Sequence, residues 1–198
     1  MRIVPYCHPA LRYDSRPVTQ IDDRLRASVR EMFELMYESH GIGLAANQVA
    51  LPFRFFVLNL TADPERSDQE QVFLNPEIVK RHGAVEEEEG CLSFPGVYAS
   101  VHRAKKVRVR AYDLKGEPIE VEADELFSRA LQHETDHLSG KLFIDYLAPT
   151  ARNAVAVKIR EIENGFRQAQ AAGEYPPDEE ILRHLEEIAR SEAVPALG

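Results

Sequence analysis

The chain has 198 residues, 44% of them hydrophobic and 29% charged, so it can bury one core and needs only one domain. Its formal net charge of -9 argues against a protein that mainly coats nucleic acid, and direct DNA binding is not expected. The sequence has no apparent leader peptide and no apolar run near the ~18 residues that a membrane helix needs. We therefore expect a cytoplasmic protein with no membrane segment and with free thiols at Cys7 and Cys91.

Apolar spacing predicts helices in the first and last parts of the chain. The first helix begins at Asp22 or Asp23 and ends at His40 and Gly41. Its apolar residues recur on one helix face: Leu25, Val29, Met32, Phe33 and Met36. Two further helices are predicted, one over residues 151–172 and one that begins at Asp178.

Short strands are predicted in the central part of the chain, at residues 53–60, 72–74, 78–80, 106–112 and 118–122. The polar sequence at residues 113–116 predicts a hairpin turn between the last two. Alternating valines predict that residues 102–110 form a strand with one charged, solvated face. The run of acids at residues 86–88 is interpreted as a solvated edge.

His133, Glu134 and His137 form a His-Glu-x-x-His motif on a further predicted helix, which Asp124 caps and which stops at Gly140. Because positions i and i+4 share one helix face, the two imidazoles can bind one metal ion with the carboxylate beside it. The alternative is a pair of ordinary core histidines that are satisfied by hydrogen bonds.

A hydrolytic metal site of this kind needs a third protein ligand and an open position for water. The extended metalloprotease pattern would place a third histidine where Phe143 stands. Glu161 or Glu163 could serve as a downstream ligand, but both lie on the polar side of their predicted helix. Cys91 follows a Glu-Gly turn and is the better candidate, because a thiolate is a strong ligand for zinc or iron(II).

Three motifs together resemble those of bacterial peptide deformylases. They are Gly-Ile-Gly-Leu-Ala-Ala-Asn-Gln at residues 41–48, Glu-Gly-Cys-Leu-Ser at 89–93 and Gln-His-Glu-Thr-Asp-His at 132–137. The resemblance implies an α+β fold in which a mixed or antiparallel sheet surrounds a central metal-binding helix, with an N-terminal helix and C-terminal helices. It implies a catalytic domain over residues 1–150, followed by a helical extension over 151–198 that is part of the same domain or a peripheral tail.

The resemblance also implies an enzyme that removes the formyl group from the N-terminal formyl-methionine of new polypeptides and releases formate. Cys91, His133 and His137 would bind one divalent metal ion. The family implies iron(II) in the cell, with zinc, nickel or cobalt able to occupy the site in preparations.

The catalytic roles that the resemblance implies fall on three residues. Glu134 would take a proton from a water activated by the metal and return it to the departing amine. The Gln48 side-chain amide and the Leu92 backbone N–H would stabilise the oxyanion.

Substrate contacts are predicted along the same cleft. The Gly43 backbone would line the cleft and pair with the extended peptide, as in relatives. Leu126 and Ala130 precede His133 on the same helix face and are expected to form an apolar wall for the methionine side chain, with core packing as the alternative. Tyr98 stands near the position of an arginine that many relatives have, so contacts to the distal substrate are not predicted.

Two other functions share the motif. A His-Glu-x-x-His metallopeptidase would use the same base but would need Glu161, Glu163 or another third ligand. A structural-metal binding module would close the site with a fourth protein ligand and leave Glu134 idle.

The expected partners are N-formylmethionyl peptides and the ribosome near the nascent-chain exit. Two features suggest the ribosome: the removal of formyl groups from new polypeptides, and the charge of the helix that begins at Ala151. Basic residues outnumber acidic ones there, with Arg152, Lys158, Arg160 and Arg167 against Glu161 and Glu163.

Overall fold

The structure is a computed structural model that describes residues 1–191. Its helices are α1 (Asp23–Glu38), α2 (Glu125–His137), α3 (Pro149–Ala171) and α4 (Asp178–Arg190). Its strands are β1 (Gly43–Ala45), β2 (Phe55–Leu58), β3 (Gln71–His82), β4 (Val85–Gly90), β5 (Tyr98–Arg103), β6 (Lys106–Tyr112) and β7 (Pro118–Asp124). These elements confirm the predicted α+β class.

The larger sheet has the order β1-β2-β3-β6-β7, and each pair of neighbours in it is antiparallel. The two strands predicted at residues 72–74 and 78–80 are parts of the single strand β3. Its pairing with β6 shifts between Leu74 and Glu77, where Asn75 has a positive φ and Pro76 has no N–H to donate. The strand bends at that point and continues.

Strands β4 and β5 form a separate two-stranded sheet. Sequence reasoning did not predict this hairpin, since it interpreted residues 86–88 as a solvated edge and began a strand at residue 102. That strand instead starts at Lys106, because the chain leaves β5 after Arg103. Arg103 is buried, whereas the prediction gave this segment a solvated charged face.

Strand β2 is covered on both faces. Phe55 and Val57 pack against the buried face of α1, while Phe56 and Leu58 point to the opposite side and join the cluster around α2. Because successive strand residues face opposite sides, a strand between two helices is apolar at every position. The sheet therefore lies between α1 and α2, and α2 packs between the sheet and the β4–β5 hairpin.

The metal-motif helix α2 has Asp124 at its N-cap position, as predicted. The Asp124 carboxylate does not cap the helix, however, and lies 3.5 Å from the Lys106 ammonium instead. The helix ends at His137, and Gly140 follows with a positive φ, where a Cβ would lie 2.5 Å from the Arg12 carbonyl oxygen. Only glycine fits there.

The C-terminal helices pack against the first residues of the chain. Phe166 of α3 and Ile181 and Leu185 of α4 form a buried cluster with Ala10 and Tyr13. The division into a catalytic domain and an extension stays a prediction, and residues 192–198 of that extension lie outside the described residues. Within residues 1–191, no helix combines the length and apolarity needed to cross a membrane.

Candidate metal centre and active-site cleft

Cys91, His133 and His137 converge, with their ligand atoms all within 4.8 Å of one another. Cys91 Sγ lies 3.3 Å from His137 Nε2, which lies 3.2 Å from His133 Nε2. Ligand atoms bonded tetrahedrally to one ion at zinc-like bond lengths of about 2.0–2.3 Å would be about 3.3–3.6 Å apart. The distances and the donor set, a thiol and two imidazoles, therefore fit one divalent metal ion.

Helix α2 and the β4–β5 hairpin bring these ligands together. His133 and His137 occupy adjacent turns on one face of α2, and Cys91 directly follows the last residue of β4. The end of α2 is fixed by Asn47, whose side-chain amide donates to the His137 carbonyl, and by Arg54, which donates to the Leu138 carbonyl at 3.2 Å.

Glu89 orients the His133 ring. Its Oε1 lies 2.6 Å from His133 Nδ1, so Nδ1 carries the proton and the Nε2 lone pair faces the candidate site. Burial opposes ionisation of Glu89, but hydrogen bonds from His133 and Arg103 hold the pKa of its carboxyl well below the usual range. Arg103 also donates a hydrogen bond to Asp136, which lies on α2 together with His133.

Glu134 is buried beside the ligands, and its Oε2 has no hydrogen-bond partner among residues 1–191. Burial raises the pKa of this carboxyl to about 7. A carboxylate with a free oxygen and a pKa near neutrality is suited to accept and return a proton.

Gln48 lines the same cleft as Glu134. Its Oε1 accepts from the Ala45 N–H at 2.9 Å, which leaves Nε2 to face Cys91 Sγ at 3.5 Å and Ser93 Oγ at 3.2 Å. The fixed amide therefore presents an N–H donor next to the thiol. Leu92, the residue after Cys91, packs its side chain against Gly41.

The first residues of the chain connect the two loops around the thiol. The Val4 N–H donates to the Gln48 carbonyl at 2.8 Å, and the Tyr6 N–H donates to the Ser93 carbonyl at 2.9 Å. This segment therefore joins, by backbone hydrogen bonds, the loop that holds Gln48 and the loop that follows Cys91.

Small-molecule sites have volumes of about 300–1,000 Å³, and the cleft over the site has a volume of about 620 Å³. It is lined by residues from β1, the β4–β5 hairpin and α2, among them Gly43, Tyr98, Leu126 and Ala130. Leu126 is 49% exposed, so it is not a core residue. Ala130 is 6% exposed and also lines the cleft.

Glu161 and Glu163 lie on α3 and are not members of the ligand group that the described residues form. The ligand set of the metallopeptidase alternative is therefore not assembled around His133 and His137. Sequence reasoning missed the buried arginines Arg103 and Arg129. The alternation along β5, in which Ala99, Val101 and Arg103 are buried in turn, could have placed Arg103 inside.

Within residues 1–191 the ligand group has three members, so a tetrahedral ion would keep an open position beside Glu134 and Gln48. Structural metal sites use four protein ligands, whereas hydrolytic sites keep a place for water. The fold and site thus define a metal-dependent hydrolase.

Comparisons with known proteins identify the family. The profile of the polypeptide deformylase family matches residues 1–153. The peptide deformylase of Acidobacterium capsulatum is 47% identical over 161 residues, which cover 81% of this chain and 94% of that protein. That of Alkalilimnicola ehrlichii is 45% identical over 160 residues, covering 81% and 89%. The chain belongs to the polypeptide deformylase family.

Solved structures agree with the sequence comparison. The Plasmodium falciparum peptide deformylase is 40% identical and superposes with a TM-score of 0.81, covering 86% of this chain and 98% of that one. The Arabidopsis thaliana peptide deformylase 1B is 36% identical with a TM-score of 0.82, covering 86% and 94%. These likenesses confirm the fold that the motifs implied.

Proposed function

We propose that this chain removes the formyl group from the N-terminal formyl-methionine of new polypeptides, with Glu134 as general base and Gln48 as oxyanion donor. Membership of the polypeptide deformylase family makes the chain a hydrolase, and the released product is formate. The observation that carries the residue roles is the convergence of Cys91, His133 and His137 beside these two side chains.

The reaction consumes one water molecule and breaks the C–N bond of the formyl amide. A divalent metal ion held by Cys91, His133 and His137 would lower the pKa of a coordinated water and polarise the formyl oxygen. Glu134 accepts the proton of the attacking water through its free carboxylate oxygen and then donates it to the departing amine. The products are formate and a peptide with a free N-terminus.

The negative charge that develops on the formyl oxygen needs donors in fixed positions. The Ala45 N–H donates to Gln48 Oε1 and thereby holds the side-chain amide in place. The Nε2 donor of the same amide therefore does not have to reorient during the reaction. We assign the second donor to the Leu92 backbone N–H, which follows the thiol ligand directly. A preorganised donor of this type contributes on the order of 10²–10³-fold in kcat.

The cleft supports an extended substrate. Gly43 lies at the start of the edge strand β1, whose backbone can pair with a peptide strand. Leu126 and Ala130 form the apolar wall that we assign to the methionine side chain.

The metal ion, the location and the ribosome are further parts of the proposal. Two imidazoles and one thiolate suit iron(II) or zinc, and we propose iron(II) as the native ion, with zinc, nickel or cobalt as substitutes. A cytoplasmic enzyme would meet its nascent substrate at the ribosome. The basic residues on α3, such as Arg152 and Lys158, support docking near the exit.

Mass spectrometry of formyl-Met-Ala-Ser tests the reaction, with protein prepared without oxygen and loaded with iron(II) or nickel. The expected product is the same peptide without its formyl group, and Glu134→Gln is expected to form none while it keeps its metal. An intact formyl group with a broken peptide bond would favour the metallopeptidase. Bound metal without any reaction would favour a structural metal.

A further inference from the structure

We propose that Arg129 is a positioning residue for the metal ligand His133, and that it acts through Glu89. This inference rests on the proposed metal site, since it concerns how one ligand of that site is held. Arg129 is 5% exposed and occupies the helical turn of α2 before His133. It does not contact the ligand atoms themselves.

Glu89 bridges two adjacent turns of α2. Its Oε2 accepts from Arg129 Nη1 at 2.9 Å, while its Oε1 lies 2.6 Å from His133 Nδ1. Residues four apart on a helix lie one above the other, so one carboxylate can reach both. The two bonds together fix the rotation of the carboxylate, and the carboxylate fixes the plane of the imidazole.

The charges around Glu89 explain why Arg103 alone does not compensate this buried carboxylate. Arg103 donates to both oxygens of Glu89, at 3.0 and 2.7 Å, but it also pairs with the carboxylate of Asp136. Glu89 and Asp136 thus share the buried guanidinium of Arg103, and Arg129 supplies a second buried guanidinium to Glu89. Without Arg129, the buried Glu89 carboxylate would keep only an arginine that it shares with Asp136, and a buried carboxylate with incomplete compensation tends to move.

The guanidinium of Arg129 also joins both strands of the β4–β5 hairpin to α2. Its Nη1 donates to the Val101 carbonyl on β5 at 3.2 Å, and its Nε donates to Glu87 on β4 at 3.3 Å. A planar fork can make these bonds at once, whereas a lysine ammonium is a single point charge. Because Cys91 directly follows β4, Arg129 fixes the thiol-bearing turn relative to the imidazole-bearing helix.

Cobalt(II) binding to the metal-free full chain, followed by the visible absorption of the bound ion, tests this inference. We expect Arg129→Leu to weaken cobalt binding on the order of 10–100-fold and to change the absorption bands, because the thiol and His133 are no longer held in one geometry. Arg129→Lys keeps the charge and is expected to lie between the two.

Arg110→Leu is the matched control. It makes the same chemical change at an exposed arginine of β6, which pairs with Glu120 and not with Glu89, so affinity and spectrum are expected to stay those of the wild type. Should Arg129→Leu fail to fold, Arg129→Lys carries the same comparison.

The outcomes distinguish the positioning role of Arg129 from the existence of the proposed metal site. If the wild type binds cobalt and Arg129→Leu binds it with the same affinity and spectrum while only melting earlier, Arg129 is a stabilising residue and the inference is overturned. If the wild type binds no cobalt, the proposed metal site is wrong, and the positioning role falls with it.

Discussion

The Glu134 carboxylate rests against the backbone of Gly43. A Cβ built on Gly43 would lie 2.6 Å from Glu134 Oε1 and 3.0 Å from Leu58 Cδ2. Residue 43 is therefore a glycine because the carboxylate occupies the space where a side chain would begin. The start of β1 thereby sets the position of the proposed general base.

Gly43→Ala is expected to displace the Glu134 carboxylate and to lower kcat by about 10²-fold, since misplacement by about 1 Å has that cost. The metal content should not change, because neither residue is a proposed ligand. Steady-state kinetics with a metal assay measures both. Gly165→Ala, on the open surface of α3, is the control and should keep full activity. An unchanged kcat in Gly43→Ala would mean that the carboxylate position is not critical.

Cys91→Ser is expected to lose most of its bound metal and with it the deformylation. A serine hydroxyl is a much poorer ligand than a thiolate, and the two imidazoles alone leave the site short of protein donors. Metal analysis after dialysis gives the answer, and Cys7→Ser is the matched control because Cys7 is outside the ligand group. Full metal retention in Cys91→Ser would point to another third ligand.

Gln48→Glu is expected to lower kcat on the order of 10²–10³-fold with little change in KM. The substitution replaces the Nε2 donor, 3.5 Å from Cys91 Sγ, with an oxygen that repels both the thiolate and the developing oxyanion. Gln168→Glu on the exposed side of α3 makes the same chemical change away from the site. A loss confined to KM would assign Gln48 to substrate binding instead.

Phe166→Ala is expected to destabilise the whole fold by about 3–5 kcal/mol, the usual cost of removing a buried phenyl ring. Phe166 is 2% exposed, and its ring contacts His8 and Tyr175. Urea unfolding should show one transition that moves as a whole. Val157→Ala, at a position 58% exposed, should have little effect. A separate early transition would identify residues 151–191 as an independently melting unit.

Acid is expected to destabilise the fold through His8. Burial, with help from the nearby Arg2, lowers the pKa of this imidazole to about 4, while an unfolded histidine titrates near pH 6.5. Between these values the unfolded chain binds a proton that the folded chain does not, so the contribution of His8 to stability is present above about pH 6.5 and is lost as the pH falls towards 4.

His8→Asn isolates this effect. Asparagine can replace the Nδ1 acceptor that receives the Ala10 N–H, and it does not titrate. Between about pH 7 and about pH 4.5, the Tm of the wild type is expected to fall further than that of the variant. Parallel Tm curves would show that another group causes the acid sensitivity.

The sequence predicted the elements whose signals are local. The i, i+4 spacing of His133 and His137 located the metal helix, and the stripe that begins at Leu25 located α1. The ligand group that the structure assembles includes Cys91, which was selected by its chemistry.

The buried polar cluster was not predictable in the same way. Glu89 ends a run of acids and Arg103 begins a run of basic residues, so each looks solvated in its own segment. Their burial depends on the β4–β5 hairpin packing against α2, a long-range contact that the alternation along β5 indicates for Arg103 but that the run of acids does not indicate for Glu89. Leu126 shows the converse, since its apolar side chain matched the core pattern but lines an open cleft.

The bonds from Val4 to Gln48 and from Tyr6 to Ser93 also constrain how the protein can be made. The first segment leaves the ribosome early, yet its partners are synthesised much later, and α2 later still. Contacts so distant in sequence form slowly, because a long loop must close before any of them adds stability. The hydrolytic site is consequently among the last parts of this chain to assemble, and a growing chain that stops short of His137 cannot hold the ion that its two imidazoles share.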